Sequence, residues 1–314
     1  MPKPMFPHTF DSTMLSALRS CPQKMFRTYV EHWKPKSESV HLIAGGAFAK
    51  GIEVARKEFY ENKATEEDAV AAGLHALLLA YGDFECPPES AKSANRMAGA
   101  LEVYFENYPL ANAAATPIAF PNGKLAIEFS FAEPLDIAHP VTGDPILYTG
   151  RADMIAEFCG GIYCVDEKTT SSLGASWGKQ WEMRGQFSGY QWAAQKAGVN
   201  VQGTLVRGVS ILKTKYDHLQ HVTYRSPYEI DRWLDQSLRD IKRAIAMWKD
   251  GHWDYAMDGA CAEYGGCSMV SICKSPDPET WLSLYFEPRV WDPLARKQLT
   301  VDEWNKSWGH EASA

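Results

Sequence analysis

Hydrophobic side chains follow a helical period in the first third of the chain. Apolar residues recur there at intervals of three and four positions, the spacing that gives a helix one buried face. The segments with this period are "TMLSALRS", "CPQKMFRTYVEHW", "AGGAFAKGIEVARKEFYEN", "EEDAVAAGLHALLLAYG" and "SANRMAGALEVYFENY". Asp11 or Ser12 can cap the first helix, and Pro22 breaks or kinks it at Cys21. Residues 1–112 are therefore predicted to form an N-terminal helical region with no strand.

After Pro117 the pattern changes to the alternation that is typical of strands. It continues through "KLAIEFSFAEPLDI", "ILYTGRADMIAEF" and "GIYCVDEKTT", and "CGG" indicates a tight hairpin closing at Gly160 and Gly161. A helix "WEMRGQFSGYQWAAQKAG", strands "GTLVRGVSILKT" and "LQHVTYR", and a helix "YEIDRWLDQSLRDIKRAIAMWKDG" follow. An antiparallel meander followed by a crossover helix and more strands predicts an α/β core at 113–250, with a mixed central sheet flanked by helices.

The last part of the chain carries cysteines and tryptophans in place of a clear period. We predict an irregular cysteine-bearing segment at 251–274 and a C-terminal tail at 275–314, to which the pattern assigns no element. A flap that packs over the cysteine segment is the simplest interpretation of this tail.

Composition and charge restrict the setting in which the chain works. The 314 residues include no basic and apolar leader and no apolar run of about 18 residues, so we expect a cytoplasmic protein with no membrane partner. The net charge of −7 means that any contact with nucleic acid must be local. A basic stretch at 168–215 with interleaved aromatic residues is a candidate contact surface. Ordinary solvated lysines on a helix and two strands explain the same stretch equally simply.

Two aspartates and a lysine stand on strands where apolar residues are expected. Asp166 and Lys168 are two positions apart and share a face of their strand, while Glu167 points to the other face. Asp153 lies on the preceding strand of the hairpin, after Gly150, which would let a backbone or a ligand approach closely. Converging carboxylates favour a hard cation such as Mg²⁺ or Mn²⁺ between them. The alternative is an Asp–Lys ion pair at a solvated sheet edge.

These residues resemble the motifs of the RecB-like branch of the PD-(D/E)XK nucleases. "GRADMIAE", "VDEKTT" and "QFSGYQ" match its G-x-x-D, D-x-K and Q-x-x-x-Y motifs in order. The resemblance implies a restriction-endonuclease-like core in which Asp153, Asp166 and the Glu167 backbone carbonyl bind the metal and Lys168 is the catalytic lysine. It also places Gln186 and Tyr190, on one helix face, beside the active site and the DNA.

The early helix follows the same family pattern with one difference. The family often has G-T-A-x-H-x-x-x-E, whereas "GGAFAKGIE" has Ala49 at the position of the histidine and Glu53 at the position of the closing glutamate. Glu53 could then assist the metal or the structure. The missing imidazole leaves open whether one or two metal ions bind.

Cys261, Cys267 and Cys273 are spaced C-x5-C-x5-C in a glycine-containing stretch that can bend to bring the thiols together. Cys21, in "LRSCPQKMF", is the candidate fourth ligand, since this phrase resembles the N-terminal C-P motif of RecB-like nucleases with a [4Fe-4S] cluster. Four thiolates suit an iron-sulfur cluster or, as the alternative, a structural zinc. The spacing favours the cluster. Cys86, Cys159 and Cys164 are expected to be free thiols, the last two packed as small apolar groups.

Together, these features predict a metal-dependent DNA nuclease similar to the exonucleases of the CRISPR-associated and AddB-type branch. By the resemblance it acts on single-stranded DNA or DNA ends in replication, recombination or repair, with recombination or replication proteins as candidate partners. The alternative is an iron-sulfur DNA-binding or assembly module whose nuclease site is weak.

Overall fold

The computed structural model describes residues 4–120, 123–257, 259–262 and 266–292. Its elements in chain order are β1 Thr9–Phe10, α1 Ser12–Ser20, α2 Pro22–Met25, a π-helical turn Phe26–Val30, β2 Trp33–Pro35, α3 Val40–Tyr60, α4 Glu66–Tyr81, α5 Ala94–Asn107, β3 Ala115–Pro117, β4 Ile127–Ala138, β5 Pro145–Phe158, β6 Gly161–Thr170, a 3₁₀ turn Lys179–Trp181, α6 Gly185–Lys196, β7 Gly203–Ile211, β8 Tyr216–Tyr224, α7 Pro227–Asp250, a 3₁₀ turn Gly259–Cys261, α8 Val270–Lys274, α9 Pro278–Tyr285 and β9 Phe286–Pro288. None of the helices in these ranges is both long enough and apolar enough to cross a membrane.

The early helices begin at side-chain caps. The Asp11 carboxylate accepts a hydrogen bond of 2.7 Å from the Met14 backbone N–H, so Asp11 is the cap of α1. Pro22 follows at the first position of α2, where its missing N–H costs nothing. Thr65 caps α4 by accepting from the Asp68 N–H at 3.1 Å, and Ser93 caps α5. The helix break at Cys21 is therefore confirmed.

Seven strands form one mixed sheet. Its strand order is β1-β5-β6-β7-β8, and β3 and β4 also pair with β5. The β5–β6 and β7–β8 pairs are antiparallel, whereas β6 and β7 are parallel with α6 between them in the chain. All nine residues of β7 are buried, as in a strand covered on both faces. Helices α3, α5 and α6 contact β6 or β7, which confirms the predicted mixed sheet flanked by helices.

The chain divides into two compact units. Unit 1 comprises 1–37, 130–150 and 231–314, and unit 2 comprises 38–129 and 151–230. Unit 1 contains an apolar cluster of Met269, Ile272, Leu282 and Phe286. The core of unit 2 joins α3, α4 and α5 to β7 through the residues Phe48, Leu77, Leu101, Tyr104 and Val209, among others. The four-part division of the chain at residues 112, 250 and 274 stays a prediction.

Two short strands lie in the region that was predicted to be wholly helical. Thr9 of β1 pairs with Leu147 in parallel, and Trp33 of β2 pairs with Pro288 in antiparallel register. The prediction that no strand occurs before residue 113 is therefore wrong. Strands of two and three residues are too short to show an alternating pattern, and long-range partners define them.

The first part of the predicted tail packs as part of unit 1. Leu282 of α9 and Phe286 of β9 join Met269 and Ile272 of the cysteine segment in the apolar cluster. This packing agrees with the interpretation of the tail as a flap over that segment. Trp304 and Trp308 lie outside the described residues.

Candidate active site

The β5–β6 hairpin determines which side chains face each other. Phe158 pairs with Gly161, so the turn consists of Cys159 and Gly160, which both have positive φ, 49° and 75°. This is the geometry that a two-residue hairpin needs. The predicted closure at Gly160 and Gly161 is wrong by one residue, because Cys159 adopts the left-handed conformation in place of Gly161. Since Met154 pairs with Val165, Asp153 lies opposite Asp166.

Asp153 connects the two strands through its side chain. Its carboxylate accepts a 2.9 Å hydrogen bond from the Glu167 backbone N–H. Burial raises the pKa of Asp153 well above its usual value, and the negative charges of Asp166 and Glu167 raise it further. The Asp153 carboxylate therefore lies within electrostatic range of the Asp166 carboxylate, as a shared cation site requires.

Asp166 and Lys168 form a close pair on β6. Lys168 Nζ lies 2.5 Å from Asp166 Oδ1, and the Asp166 side chain is only 1% exposed. Lys168 acts on Asp166 through its positive charge and through a side-chain hydrogen bond. Burial raises the pKa of Asp166 although Lys168 opposes the shift. Burial alone would lower the pKa of Lys168, but the charges of Asp166 and Asp153 raise it.

The donor set fits a hard divalent cation. Two buried carboxylates with raised pKa values repel each other, and a cation between them would offset this repulsion. The Asp166 carboxylate is buried and offers oxygen atoms of the kind that a hard cation binds. In the part of the chain that the structure describes, no three or more His, Cys, Asp or Glu side chains are placed to hold a metal ion. The candidate metal ligands at this site are therefore the two aspartate carboxylates and the backbone carbonyl oxygen of Glu167.

The Glu167 side chain enters a buried network on the opposite side of β6. Arg56 Nη2 donates to Glu167 Oε1 at 2.5 Å, and Arg56 Nη1 donates to Oε2 at 3.2 Å. The Tyr104 hydroxyl donates to Oε1 at 2.9 Å and accepts from Arg207 at 3.3 Å. Burial would raise the pKa of Glu167, but the charge of Arg56 and its hydrogen bonds bring it to about 2. This network anchors the backbone whose N–H binds Asp153.

Sequence reasoning did not identify Arg56 as part of this site. Ile52, Ala55 and Phe59 form the apolar stripe of α3, and Arg56 lies within the same stripe. A charged residue on the buried face of a helix usually has a buried partner of opposite charge. The position of Arg56 in the stripe was the available signal, although Glu167 as its partner is separated from it by 111 positions.

Glu53 lies on α3 with both carboxylate oxygens engaged. Lys57 Nζ lies 2.6 Å from Oε1 and Lys50 Nζ lies 3.0 Å from Oε2. Burial would raise the pKa of Glu53, but the two lysines lower it. Ala49, one turn earlier, is exposed. The structure thus shows Glu53 in ion pairs on its own helix.

Glu128 on β4 is a further acid that sequence reasoning missed. Its φ is 55°, a conformation rarely adopted by residues other than glycine, and its side chain is 8% exposed. It pairs with Arg151 at 2.8 Å. Burial raises the pKa of Glu128, Arg151 lowers it and the charge of Glu53 raises it. Glu128 also acts on the pKa of Asp153, and so it belongs to the electrostatic surroundings of the site.

Gln186 and Tyr190 connect α6 to β5. Gln186 Nε2 donates to the Tyr190 hydroxyl at 2.7 Å, and that hydroxyl donates to the Arg151 backbone oxygen at 2.7 Å. Arg151 precedes Asp153 by two positions. The predicted pair on one helix face therefore supports the strand that carries Asp153.

Gly150, the first residue of the G-x-x-D motif, makes room for a side chain. A Cβ atom at Gly150 would lie 2.6 Å from Phe131 Cζ. The prediction that a backbone or a ligand approaches Gly150 is wrong in the kind of group, because the side-chain ring of Phe131 on β4 fills this space.

The four cysteines of the predicted cluster all lie in unit 1. Cys21 is at the break between α1 and α2, Cys261 ends a 3₁₀ turn, and Cys273 is on α8. The Cys267 N–H donates to the Cys261 oxygen at 2.9 Å. Burial raises the pKa of Cys273, and the charges of Cys267, Cys21 and Cys261 raise it further. Cys21, Cys261 and Cys267 therefore lie within electrostatic range of Cys273. No three or more His, Cys, Asp or Glu side chains of the described residues are placed to hold a metal ion here.

Two cysteines outside the predicted cluster differ in burial. Cys164 is fully buried, as predicted, whereas Cys159 is exposed in the hairpin turn, so its predicted packing is wrong.

The aromatic residues interleaved with the basic stretch are buried at 8% exposure or less: Trp177, Trp181, Phe187, Tyr190 and Trp192. They pack in the interior and do not form a platform for stacking bases.

Comparisons with known proteins agree with this geometry. Residues 12–274 match the model of the PD-(D/E)XK nuclease superfamily. The structure is similar to a crystal structure named "Putative exonuclease" from Eubacterium rectale, with 12% identity, 79% of this chain and 85% of that chain covered, and a TM-score of 0.46. It is also similar to SSO0001, with 13% identity, coverage of 72% and 84%, and a TM-score of 0.28. No curated protein matches the sequence.

The two structural similarities are too weak to carry an argument about function. The family match stands without them, because it spans both β5 and β6 with their acidic residues and continues through the cysteine segment. The chain belongs to the PD-(D/E)XK nuclease superfamily, which makes it a nuclease, a phosphodiester hydrolase with DNA as its substrate.

Proposed function

We propose that the chain is a metal-dependent deoxyribonuclease that digests single-stranded DNA or DNA ends. The observation that supports this most directly is the buried Asp166 carboxylate, whose Oδ1 lies 2.5 Å from Lys168 Nζ and whose negative charge raises the pKa of Asp153. Asp153, Asp166 and the Glu167 carbonyl would hold the metal. Nucleases of this superfamily usually use Mg²⁺ or Mn²⁺, which polarises the phosphate and activates a water molecule.

The residues of the chain then perform distinct tasks. Hydrolysis forms a bond between a water oxygen and phosphorus and breaks the bond from phosphorus to the leaving sugar oxygen. The Lys168 ammonium, with its raised pKa, stays protonated and can donate a hydrogen bond to a phosphate oxygen as negative charge develops. Asp153 is held by the Glu167 N–H, and the Arg56 network holds Glu167. This arrangement positions the ligands before substrate arrives.

We propose the exonuclease activity and the biological process from the resemblance to the RecB-like branch. The chain contains no G-x-x-x-x-G-K-[ST] helicase motif, so it would act alone or supply nuclease activity to recombination or replication proteins. Replication, recombination and repair are the processes that such an activity would serve.

A degradation assay tests the proposed activity. End-labelled single- and double-stranded DNA is incubated with Mn²⁺ and the parent protein, Asp166→Ala or Lys168→Ala. We expect each substitution to lower the cleavage rate by about 10² to 10³. Asp217→Ala and Lys215→Ala are matched controls, because they break an exposed Asp–Lys pair of the same spacing at the start of β8, 2.9 Å apart. Equal activity of the parent and Asp166→Ala would contradict the proposed site.

A second candidate function follows from Ala49, which stands where the family often has a metal-binding histidine. The chain would then be an iron-sulfur DNA-binding or assembly module with a weak nuclease site. DNA binding without cleavage at any Mn²⁺ or Mg²⁺ concentration would favour this module over the nuclease.

We also propose that Cys21, Cys261, Cys267 and Cys273 bind a [4Fe-4S] cluster, with a structural zinc as the alternative. The electrostatic proximity of their sulfur atoms within one unit supports this assignment. An anaerobic preparation should be brown and contain iron and sulfide in amounts equal to each other. A colourless preparation with one bound zinc would favour the alternative, and a protein with neither would contradict the assignment.

A further inference from the structure

An exposed arginine stands at the start of α6. Arg184 directly precedes Gly185, the first residue of that helix, and its side chain makes no capping hydrogen bond. It is exposed, and no carboxylate of the described residues forms an ion pair with it. Its guanidinium is therefore accessible to an anion from solution.

The register of the sheet shows which face α6 covers. Gln191 of α6 donates to Thr204 Oγ1 at 3.4 Å, and Thr204 pairs with Cys164 on the neighbouring strand β6. Paired residues share a face of the sheet, and so do residues two positions apart on one strand. α6 therefore lies over the face of β6 that carries Asp166 and Lys168.

The direction of α6 brings Arg184 level with these two side chains. Because α6 joins the parallel strands β6 and β7, it runs back against both of them. Arg184 lies about 10 Å from Gln191 towards the N-terminus of the helix. In the same direction, Asp166 and Lys168 lie about 7 Å and about 13 Å beyond Cys164 along β6. Arg184 therefore comes level with the stretch from Asp166 to Lys168.

The electrostatics of the site agree with this placement. Burial raises the pKa of Asp166, and the positive charges of Lys168 and Arg184 lower it. Burial lowers the pKa of Lys168, the two aspartates raise it, and the charge of Arg184 lowers it. Two cations thus lie within electrostatic range of each other and of one carboxylate. A phosphate anion between the two cations would offset their repulsion.

A buried arginine holds the backbone that carries Arg184. Arg225 is 7% exposed, and its guanidinium donates to the Trp181 oxygen at 2.7 Å and to the Arg184 oxygen at 3.4 Å. Its Nε donates to Ser188 Oγ of α6 at 3.1 Å. These bonds tie the loop before α6 to the helix, so Arg184 loses little main-chain freedom when it binds a ligand.

We propose that Arg184 binds a non-bridging oxygen of the phosphate that is hydrolysed beside Lys168. This inference rests on the proposed nuclease function. A guanidinium presents N–H donors in a planar fork that matches phosphate oxygens, and it stays protonated throughout the reaction. Arg184 and Lys168 together would stabilise the negative charge that develops on the phosphate oxygens.

The first measurement is the affinity for a fluorescein-labelled single strand, by anisotropy in EDTA over a range of salt concentrations. Arg184→Met removes the charge, and Arg184→Lys keeps it. Lys63→Met is the control, because Lys63 is an exposed cation of the same unit. Arg184→Met should weaken binding about tenfold and lower the magnitude of the slope of log K against log salt by about 0.7. Arg184→Lys and Lys63→Met should keep the parent slope.

The second measurement is the single-turnover cleavage rate at saturating DNA and saturating Mn²⁺. Arg184→Met should lower this rate by about 10², as for a lost donor to the transition state, and Arg184→Lys should lower it less. Lys63→Met should cut at the parent rate. Because Arg184 is exposed, its variants should melt at the parent temperature. The difference between Arg184→Lys and Arg184→Met stands even if both melt earlier.

The possible failures are distinguishable. A parent salt slope in Arg184→Met, while the parent protein cuts DNA, overturns the phosphate contact and leaves the nuclease intact. A reduced slope with a parent cleavage rate would place the contact on another phosphate and would also overturn the proposal. The same holds for a parent rate that is reached at a lower Mn²⁺ concentration, since Arg184 would then only balance the charge of Asp166. A parent protein that does not cut DNA overturns the nuclease itself.

Discussion

Asp166 and Glu167 are adjacent residues of one strand with opposite electrostatic surroundings. The Glu167 carboxylate has two hydrogen bonds from Arg56 and one from Tyr104, and its pKa falls to about 2. The Asp166 carboxylate is equally buried but its pKa is raised, since Lys168 only partly compensates for burial. Because side chains of a strand alternate between faces, the two acids lie on opposite sides of β6, and only Glu167 has its charge fully compensated.

Arg56→Met should destabilise unit 2 by about 3–5 kcal/mol, because it leaves the buried Glu167 carboxylate without its principal cation. Urea unfolding measures the change. Lys50→Met is the control, since Lys50 is 47% exposed and its ion pair with Glu53 contributes little. Adding Glu167→Gln to Arg56→Met should recover part of the loss, as the unpaired charge is then removed. An Arg56→Met variant as stable as Lys50→Met would contradict the role of this network.

His32 should make the stability of unit 1 depend on pH. Burial lowers its pKa from 6.5 to about 4, so protonation favours the unfolded chain. Stability is therefore lost as the pH falls through 6.5 towards 4. His32→Asn removes the titration, and asparagine tolerates the left-handed φ of 63°. Between pH 7 and pH 5 the parent should lose about 2 kcal/mol more than His32→Asn in urea unfolding. Parallel losses in both proteins would disprove this assignment.

At the scale of elements, β5 carries the groups that position Asp153. Gly150 leaves space for the Phe131 ring, and the Arg151 oxygen accepts from Tyr190 of α6. Asp153 then follows within the same strand. These contacts should therefore affect catalysis through the position of Asp153.

Gly150→Ala should destabilise unit 1 by about 1–3 kcal/mol, since its Cβ would lie 2.6 Å from Phe131 Cζ. Calorimetry of the parent, the single variants Gly150→Ala and Phe131→Leu, and the double variant Gly150→Ala/Phe131→Leu measures this effect. The smaller side chain should relieve the clash. A double variant less stable than the sum of the single variants would show that the ring is not the obstacle.

Tyr190→Phe should lower the cleavage rate about fivefold while DNA affinity stays near that of the parent. The substitution removes the 2.7 Å hydrogen bond to Arg151, worth about 1 kcal/mol, and leaves the buried ring in place. Single-turnover cleavage and anisotropy separate the two quantities. A loss confined to DNA affinity would indicate that Tyr190 contacts the substrate.

The sequence predicted most elements but not the contacts between distant ones. The bounds of β5, β6 and α7 follow from periodicity, because each is long and regular. The hairpin turn was misplaced by one residue, since a cysteine with positive φ gives no local signal. Asp153, Asp166 and Lys168 could be nominated from their motif. Arg56 and Glu128 could not, because their partners belong to other elements and only folding brings them together.

At the scale of the molecule, the two proposed centres lie in different units. The acids and Lys168 belong to unit 2, and the four cysteines belong to unit 1. Cys21 and Cys273 are separated by most of the chain, so a metal bound to both would close a very long loop and contribute to folding. Damage to the cysteine centre should thus appear first as a loss of stability.

Cys273→Ser should lower the melting temperature of the first calorimetric transition by about 10 °C, which corresponds to several kcal/mol for a unit of this size. Cys159→Ser is the matched control, because Cys159 is exposed in the hairpin turn. Iron chelation should reproduce the effect of Cys273→Ser in the parent protein. Identical melting of the two variants would exclude a stabilising metal at Cys273.

The two-residue turn at Cys159 and Gly160 has a consequence for how this chain can diverge. Exposed hairpin loops ordinarily accept insertions and deletions. Here one added residue would slide β6 by one position against β5, and every later side chain of β6 would change face. Glu167 would then confront Asp153, and Asp166 would turn towards Arg56. Selection on a loop with no chemistry of its own should therefore preserve its length as strictly as the identity of the aspartates.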